Sequence, residues 1–200
     1  MTRTIDYYLA PQSPWTCLGH TRFTALAKQA GARVNVLPVD LGKIFPATGG
    51  LPLAKRAPAR QAYRLVELKR FIELHAMPLN LHPKFFPVVA DDAARLIIAV
   101  DLNEGSDAAM TLVGALLRAV WTEERDIAEA TVRAALLSEC GLPEARLVDA
   151  DSPAVRERYE ANTQRAIDAG VFGAPTYVIE GEPFWGQDRL DLVQRRLARP

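Results

Sequence analysis

The sequence predicts an α/β fold that carries a large all-helical insertion, and three features of its pattern support this prediction. Residues 1–41 show strand, helix and strand signals in turn, and residues 168–200 show a β-hairpin pattern followed by a helix. Between them, residues 42–167 have apolar residues at helical spacing and no further strand pattern. A chain of 200 residues is long enough for one core with an insertion of this size. We therefore assign the two terminal segments to one domain and the middle segment to a helical domain inserted into it.

The N-terminal segment predicts a βαβ unit. Thr4–Leu9 is rich in β-branched and aromatic residues and is followed by the strand breaker Ala-Pro-Gln. Ser13 offers an N-cap hydroxyl and Pro14 is a favoured first helical residue, so we expect a helix from there to Gly31. Apolar and polar residues alternate within residues 33–39, which predicts a second strand. A right-handed crossover would make the two strands parallel.

The C-terminal segment predicts a hairpin and a closing helix. Pro175 precedes an apolar run at 177–179, and proline is tolerated at the first residue of a strand because its missing N–H is not needed there. Turn residues at 180–183 interrupt the run before Phe184 and Trp185 resume it. Asp188 is then expected to cap a helix, since the residues after it place leucine and valine on one face.

The insertion predicts helices joined by proline-bounded loops. Residues 42–58 are rich in proline and glycine, so we expect a connecting loop that could bind a ligand. A helix is predicted from Arg60 to about Ala76, and residues 80–87 form a second loop with two aromatic residues. Four further helices are predicted at residues 91–103, 107–121, 126–140 and 153–168.

Composition excludes several classes of protein. The chain has 24 Lys and Arg against 24 Asp and Glu, so it lacks the basic excess that favours nucleic acid. No apolar run approaches the ~20 residues of a transmembrane helix, and a strand pattern begins where a signal peptide would be apolar, so we expect a soluble, cytoplasmic protein. Cys17 and Cys140 are far apart and lack metal-ligand spacing, which argues against a disulfide framework or a zinc site.

Three stretches resemble one known family. The C-terminal run VFGAPTYVIEGEPFWGQDRL resembles the signature of the 2-hydroxychromene-2-carboxylate isomerase family, and RAPARQAY and NLHPKFFP resemble its loop sequences. That family has a DsbA-like thioredoxin fold and is related to the kappa-class glutathione transferases. The resemblance covers almost the whole chain. It implies a thioredoxin-like domain with a large all-helical insertion, a cis bond before Pro175, and glutathione as cofactor.

The resemblance implies that Ser13 is the catalytic residue. Ser13 and Thr16 occupy the two cysteine positions of a redox CxxC motif, so dithiol redox chemistry should be lost. The Ser13 hydroxyl can donate a hydrogen bond to the sulfur of glutathione, and the helix N-terminus stabilises the thiolate. A plain N-cap is the alternative role for this serine.

The same resemblance implies the residues that bind glutathione. Arg60 stands where the family has a lysine that pairs with a carboxylate of the peptide; the alternative is a solvated arginine at a helix start. The backbone at Ala174 and Pro175 would pair with glutathione like an added strand. Gln187 and Asp188 match a polar pair that holds the γ-glutamyl end, with Asp188 taking the ammonium group and capping the helix at the same time.

Other positions carry less functional signal. Gly50 stands where relatives have an asparagine, which removes one polar contact. Cys17 follows Thr16, which occupies the position of the second cysteine of a redox CxxC motif. One residue rotates a helical side chain by about 100°, so the Cys17 side chain should point into the core. His20, His75 and His82 are scattered and are expected to be structural or solvated, although the loop of His82 could face an aromatic substrate.

The implied function is a glutathione-dependent cis–trans isomerase of an aromatic enone acid. Two alternatives stay open: a kappa-like glutathione transferase, which leaves glutathione on the product, and a non-catalytic thioredoxin-fold binding protein. The expected partners are a small aromatic substrate and a second copy of the chain, the homodimer resting on family analogy alone. Paired catalytic carboxylates, a phosphate-binding glycine motif and a metal-ligand cluster are absent as recognisable patterns.

Overall fold

A computed structural model describes residues 3–199 and shows a four-stranded mixed sheet with helices on both faces. The strands are β1 (Thr4–Leu9), β2 (Arg33–Pro38), β3 (Thr176–Ile179) and β4 (Glu182–Trp185). Their order across the sheet is β2-β1-β3-β4, with β1 and β2 parallel and the other two pairs antiparallel. The predicted βαβ unit and C-terminal hairpin are confirmed, and they form one sheet because β3 pairs with β1.

Nine helices are present within residues 3–199. They are α1 (Pro14–Gln29), α2 (Leu41–Thr48), α3 (Pro58–His75), α4 (Asp91–Glu104), α5 (Ser106–Trp121), α6 (Ala130–Glu139), α7 (Arg146–Asp149), α8 (Pro153–Asp168) and α9 (Leu190–Leu197). Short 3₁₀ turns occur at Leu53–Lys55 and Gln187–Arg189. None of the helices in this part of the chain is long and apolar enough to cross a membrane.

The connector predicted at residues 42–58 is wrong in its first half, because α2 occupies it. Asp40 caps this helix by accepting the N–H of Gly42 at 2.7 Å, and Ile44 buries its side chain against the sheet. Pro46 lies inside the helix and removes one backbone hydrogen bond from only eight residues. That proline, with Gly49 in the left-handed conformation at the C-cap, gave the stretch its loop-like composition.

The predicted cap at Asp188 is also wrong. The 3₁₀ turn at Gln187–Arg189 comes first, and α9 begins at Leu190 with no side-chain cap bond. The Asp188 carboxylate instead accepts a hydrogen bond from Arg189 at 2.6 Å. The Asp188 carboxylate therefore does not cap the N-terminus of α9.

Two details of the insertion also differ from expectation. The helix predicted at 126–140 begins only at Ala130, because Asp126 accepts the N–H of Ala128 at 2.9 Å and forms a turn. The short helix α7 was not predicted. The other helices of the insertion agree with their predicted ranges to within about two residues at each end.

The core lies on both faces of the sheet. Tyr7 of β1, Phe23 of α1 and Tyr177 of β3 pack against one another on one face, with ring centroids 4.5–5.4 Å apart. This cluster continues without a break into the buried residues of α4 and α5. A smaller cluster around Tyr8 fills the opposite face, where Ala166 of α8 packs. As a result, α1 is held between the sheet and the helices of the insertion.

Candidate active site

The site begins at the N-terminus of α1, where Ser13 is the N-cap. Its backbone is extended (φ −77°, ψ 123°), and its hydroxyl oxygen accepts the N–H of Thr16 at 3.2 Å. Its own N–H donates to the Ala10 carbonyl at 3.0 Å, which fixes the loop after β1. The hydroxyl therefore lies at the positive end of the helix dipole, the end that favours an anion.

Ser13 contacts the cis proline that precedes β3. The bond between Ala174 and Pro175 is cis, and the Ser13 hydroxyl donates to the Ala174 carbonyl at 3.3 Å across 161 positions of sequence. The Pro175 carbonyl accepts the N–H of Gly186 at 2.9 Å, so the end of the hairpin is tied to the same place. The predicted cis bond is confirmed, and the structure brings the predicted catalytic residue Ser13 into contact with this segment. A second cis bond, between Phe86 and Pro87, was not predicted.

The Ser13 hydroxyl can turn its proton toward a bound anion, and two polar atoms beside it lack partners within the described residues. The hydroxyl has one proton, which it now donates over a long 3.3 Å to Ala174, so rotation can redirect it. Gln12 Oε1 and Thr16 Oγ1 are buried and have no hydrogen-bond partner within residues 3–199. Buried polar groups without partners are rare in native proteins and call for a ligand or water.

The two cysteine sulfur atoms of the chain take no part in this site. Cys17 is buried, and its Sγ lies 3.9 Å from the Leu117 carbonyl in α5. Burial raises the pKa of the Cys17 thiol to about 12, so it stays protonated at neutral pH. Burial also raises the pKa of Cys140. The prediction that Cys17 faces inward is confirmed.

Gln187 and Asp188 form a turn that packs on α1. Gln187 is only 2% exposed, and both its carbonyl and its side-chain oxygen accept hydrogen bonds from Arg22, the former at 3.0 Å. A Cβ added at Gly19 would lie 2.9 Å from the Gln187 Cβ, so the glycine permits this close approach. Gly19 follows Ser13 by six residues, roughly 9 Å along the helix. Asp188 is partly exposed beside this turn.

Arg60 and Gly50 lie on the side of the insertion. Arg60 is exposed in the first turn of α3, and its side chain makes no hydrogen bond or ion pair with residues 3–199; the structure does not bring it into contact with Ser13 or Pro175. Gly50 follows α2 closely. A Cβ added there would lie 2.7 Å from a ring carbon of Phe45, so this backbone has no room for the asparagine of relatives.

Aromatic side chains near Ser13 were missed from the sequence. Trp15 in the first turn of α1 meets the ring of Phe71 of α3 edge-on at 6.2 Å. A second pair, Phe172 and Trp185, has ring centroids 4.7 Å apart, and the two residues are 46% and 52% exposed. A Cβ added at Gly173 would lie 2.5 Å from the Trp185 indole nitrogen, so this pair adjoins the cis proline. The signal available in the sequence was proximity: Trp15 follows Ser13 by two residues, and Phe172 precedes Pro175 by three.

The histidines do not form a catalytic pair with Ser13. His20 links the sheet to the insertion through Tyr7 at 3.2 Å and the Met110 carbonyl at 2.9 Å, and burial lowers its pKa to about 4. Burial and the nearby Arg22 lower the pKa of His75. His82 is exposed. No group of three metal-ligating side chains occurs within the described part of the chain.

Comparison with known proteins agrees with this geometry. Residues 4–198 match the model of the DSBA-like thioredoxin domain family. The chain is 27% identical over 199 residues to a 2-hydroxychromene-2-carboxylate isomerase of Sphingobium xenophagum, covering 98% of this chain and 99% of the relative. It is 26% identical over 197 residues to the enzyme of that name from Pseudomonas putida, with coverages of 98% and 94%.

A solved structure supports the same assignment. The structure of a 2-hydroxychromene-2-carboxylate isomerase superposes with a TM-score of 0.78 at 26% identity, covering 98% of this chain and 95% of that one. The resemblance inferred from the sequence motifs and the α/β fold with its helical insertion are confirmed. The chain belongs to the DSBA-like thioredoxin domain family, and it is similar over its full length to 2-hydroxychromene-2-carboxylate isomerases.

Proposed function

We propose that this protein is a glutathione-dependent cis–trans isomerase of an aromatic enone acid, of the 2-hydroxychromene-2-carboxylate isomerase type. The observation that carries the proposal is the pairing of Ser13 with the cis proline segment, at a helix N-terminus that has no cysteine at position 13 or 16. A thioredoxin-like site without its own sulfur needs an external thiol. The names of the full-length relatives supply the reaction type.

The residues present fit glutathione. Two buried polar atoms beside Ser13, on Gln12 and Thr16, have no partner within residues 3–199. The exposed Arg60 is free to take a carboxylate of the peptide, and the partly exposed Asp188 is available for an ammonium group. Gln187 is nearly buried and would contribute mainly by holding the Asp188 turn against α1, while the backbone at Ala174 and Pro175 would pair with the peptide.

The protein's part in the reaction is to hold a thiolate and orient a substrate. Bound glutathione supplies a nucleophilic thiolate that adds reversibly to a conjugated double bond, so the bond can rotate and net redox change is nil. Ser13 donates its proton in a hydrogen bond to the sulfur, and the N–H of Thr16 fixes the hydroxyl oxygen while it does so. The helix dipole adds to this stabilisation. Trp15, Phe71 and Trp185 offer ring faces to an aromatic substrate.

We also propose a homodimer that works in the cytoplasm. Tyr63, Val66 and Leu74 lie on one side of α3 and are between 44% and 71% exposed, so this side offers apolar side chains that a second copy could cover. The cytoplasm keeps glutathione reduced, as the mechanism requires. Sedimentation at micromolar concentration that shows only a species of 22.0 kDa would contradict the dimer.

The test of the function is a glutathione titration followed by turnover and product analysis. We expect saturable glutathione binding and glutathione-dependent isomerisation of 2-hydroxychromene-2-carboxylate, with glutathione recovered unchanged. Glutathione found attached to the product would indicate a kappa-like transferase, which would use the same thiolate site. Absence of both binding and turnover would leave a non-catalytic binding protein of the same fold.

A further inference from the structure

Arg64 is a half-buried cation without a partner. It lies in α3, with its guanidinium carbon 5.2 Å from the ring centre of Phe86 and 6.0 Å from that of Trp121. Its side chain makes no hydrogen bond or ion pair with residues 3–199, and its Nη2 is fully buried. Burial lowers the pKa of Arg64, and the nearby Arg56 lowers it further.

This arrangement is costly unless an anion completes it. The aromatic faces attract the cation but accept none of its directional N–H bonds in the way an oxygen does. A buried N–H donor without an acceptor is unfavourable, and this applies to Nη2 of Arg64. Two other arginines of the insertion, by contrast, are paired with carboxylates: Arg133 contacts Asp92 at 3.1 Å and Arg70 contacts Glu67 at 2.6 Å. Arg64 is therefore positioned to receive an acid from outside the chain.

Two independent contacts place Arg64 on the Ser13 side of the insertion. Arg64 precedes Phe71 by seven residues, so both lie on the same face of α3, and Phe71 meets Trp15, the second residue after Ser13. The second contact comes from α5. Trp121 follows Leu117 by one turn, and Leu117 meets Cys17, which follows Ser13 by one turn of α1.

We propose that Arg64 binds the carboxylate of the acid substrate and thereby selects acids over neutral analogues. This inference rests on the proposed function and adds the substrate-binding residue to it. A guanidinium can hold a carboxylate through two parallel hydrogen bonds, and Phe86 and Trp121 leave an aromatic wall beside the bound acid. Arg56 adds positive potential, whereas the exposed Arg60, one turn before Arg64, stays with glutathione.

The experiment compares Arg64→Gln with Arg70→Gln in steady-state kinetics. Arg70 is exposed on the same helix and pairs with Glu67, so it controls for loss of one positive charge. With 2-hydroxychromene-2-carboxylate as substrate, we expect Arg64→Gln to raise KM by about 10- to 150-fold, the range for losing a charge-assisted hydrogen bond. The Kd of Arg64→Gln for glutathione should stay within about twofold of the wild-type value. In Arg70→Gln, both the KM for the acid and the Kd for glutathione should stay within the same range. Arg64→Lys, which keeps the charge, should recover part of the affinity.

The carboxamide of the same substrate provides the second arm. Wild type should use the amide poorly, and Arg64→Gln should no longer distinguish acid from amide. An unchanged KM for the acid in Arg64→Gln, or equal use of acid and amide by wild type, would overturn the inference.

The design separates this inference from the proposed function. If wild type binds the acid but does not turn it over, the isomerase proposal fails. Quenching of tryptophan fluorescence by the acid then still compares Kd between wild type and Arg64→Gln, and an equal Kd would overturn the role of Arg64. If wild type neither turns over nor binds the acid, the role of Arg64 is overturned as well. If Arg64→Gln does not fold, Arg64→Lys and the acid-to-amide ratio of wild type decide the question.

Discussion

Replacing Ser13 by alanine removes one accepted and one donated hydrogen bond, with different consequences. The Thr16 N–H loses its acceptor at 3.2 Å. The single hydroxyl proton is lost to the Ala174 carbonyl, at 3.3 Å in the free protein, or to the bound thiolate in the proposed complex. Loss of the cap should lower the free energy of unfolding by about 1 kcal/mol. Loss of a hydrogen bond to a charged group costs about 1.5–3 kcal/mol, so kcat should fall by about 10- to 150-fold if the transition state bears the full cost.

Ser152 offers a matched control for this variant. Ser152 is the N-cap of α8, is also followed by a proline, and accepts the N–H of Val155 at 3.4 Å. Ser152→Ala should therefore lower the free energy of unfolding by a similar amount while turnover stays at the wild-type value. Chemical denaturation and steady-state kinetics at saturating glutathione measure the two effects separately. Equal turnover in Ser13→Ala, Ser152→Ala and wild type would reduce Ser13 to a helix cap and refute the thiolate mechanism.

Three further outcomes are expected. The protein should not reduce insulin disulfides, because Cys17 is buried with a raised pKa; reduction that disappears in Cys17→Ala would contradict this. His20 has a folded-state pKa of about 4 against an ordinary value near 6.5, so the unfolded chain binds its proton first as pH falls. The free energy of unfolding of the wild type should therefore fall by up to about 3 kcal/mol between pH 7 and 4 because of His20, and that of His20→Asn should fall correspondingly less. If the free energy of unfolding fell equally with pH in the two proteins, the low pKa would not belong to His20. Gly19→Ala should destabilise by about 1–3 kcal/mol because its Cβ would meet Gln187 at 2.9 Å. Gly114→Ala, where the nearest atom is 3.4 Å away, should be tolerated, and equal effects of the two alanines would contradict the close packing of α1 on the Gln187 turn.

The sequence predicted the sheet and the core of the site because their signals are local. Each signal is contained in a short segment of the sequence: the composition of the strands, the Ser-Pro start of α1 and the proline before the last hairpin. Since α1 follows β1 directly and Pro175 precedes β3, pairing of β3 with β1 brings Ser13 and Pro175 together. This contact follows from the thioredoxin-like fold that the resemblance implies, because no local signal specifies that β3 pairs with β1.

The remaining features depend on tertiary contacts that the sequence does not display. The helix α2 forms despite Pro46 because Ile44 is buried against the sheet. From the sequence, Gly50 was interpreted as the loss of a polar contact. The structure shows that the ring of Phe45 leaves no room for a side chain at this position. Arg64 looks like any surface helix arginine until its missing partner is seen. Burial and the absence of a neighbour are properties of the folded chain only.

The most direct test of the central claim is the pKa of the glutathione thiol in the wild-type complex. Ultraviolet absorbance of the thiolate, followed against pH at saturating protein, measures it. If Ser13 and the N-terminus of α1 hold a thiolate, the pKa should fall about one to two pH units below the ordinary thiol value near 8.5, and Ser13→Ala should return it toward that value. A thiol that titrates in the complex as it does free in solution, with no difference in Ser13→Ala, would contradict the account.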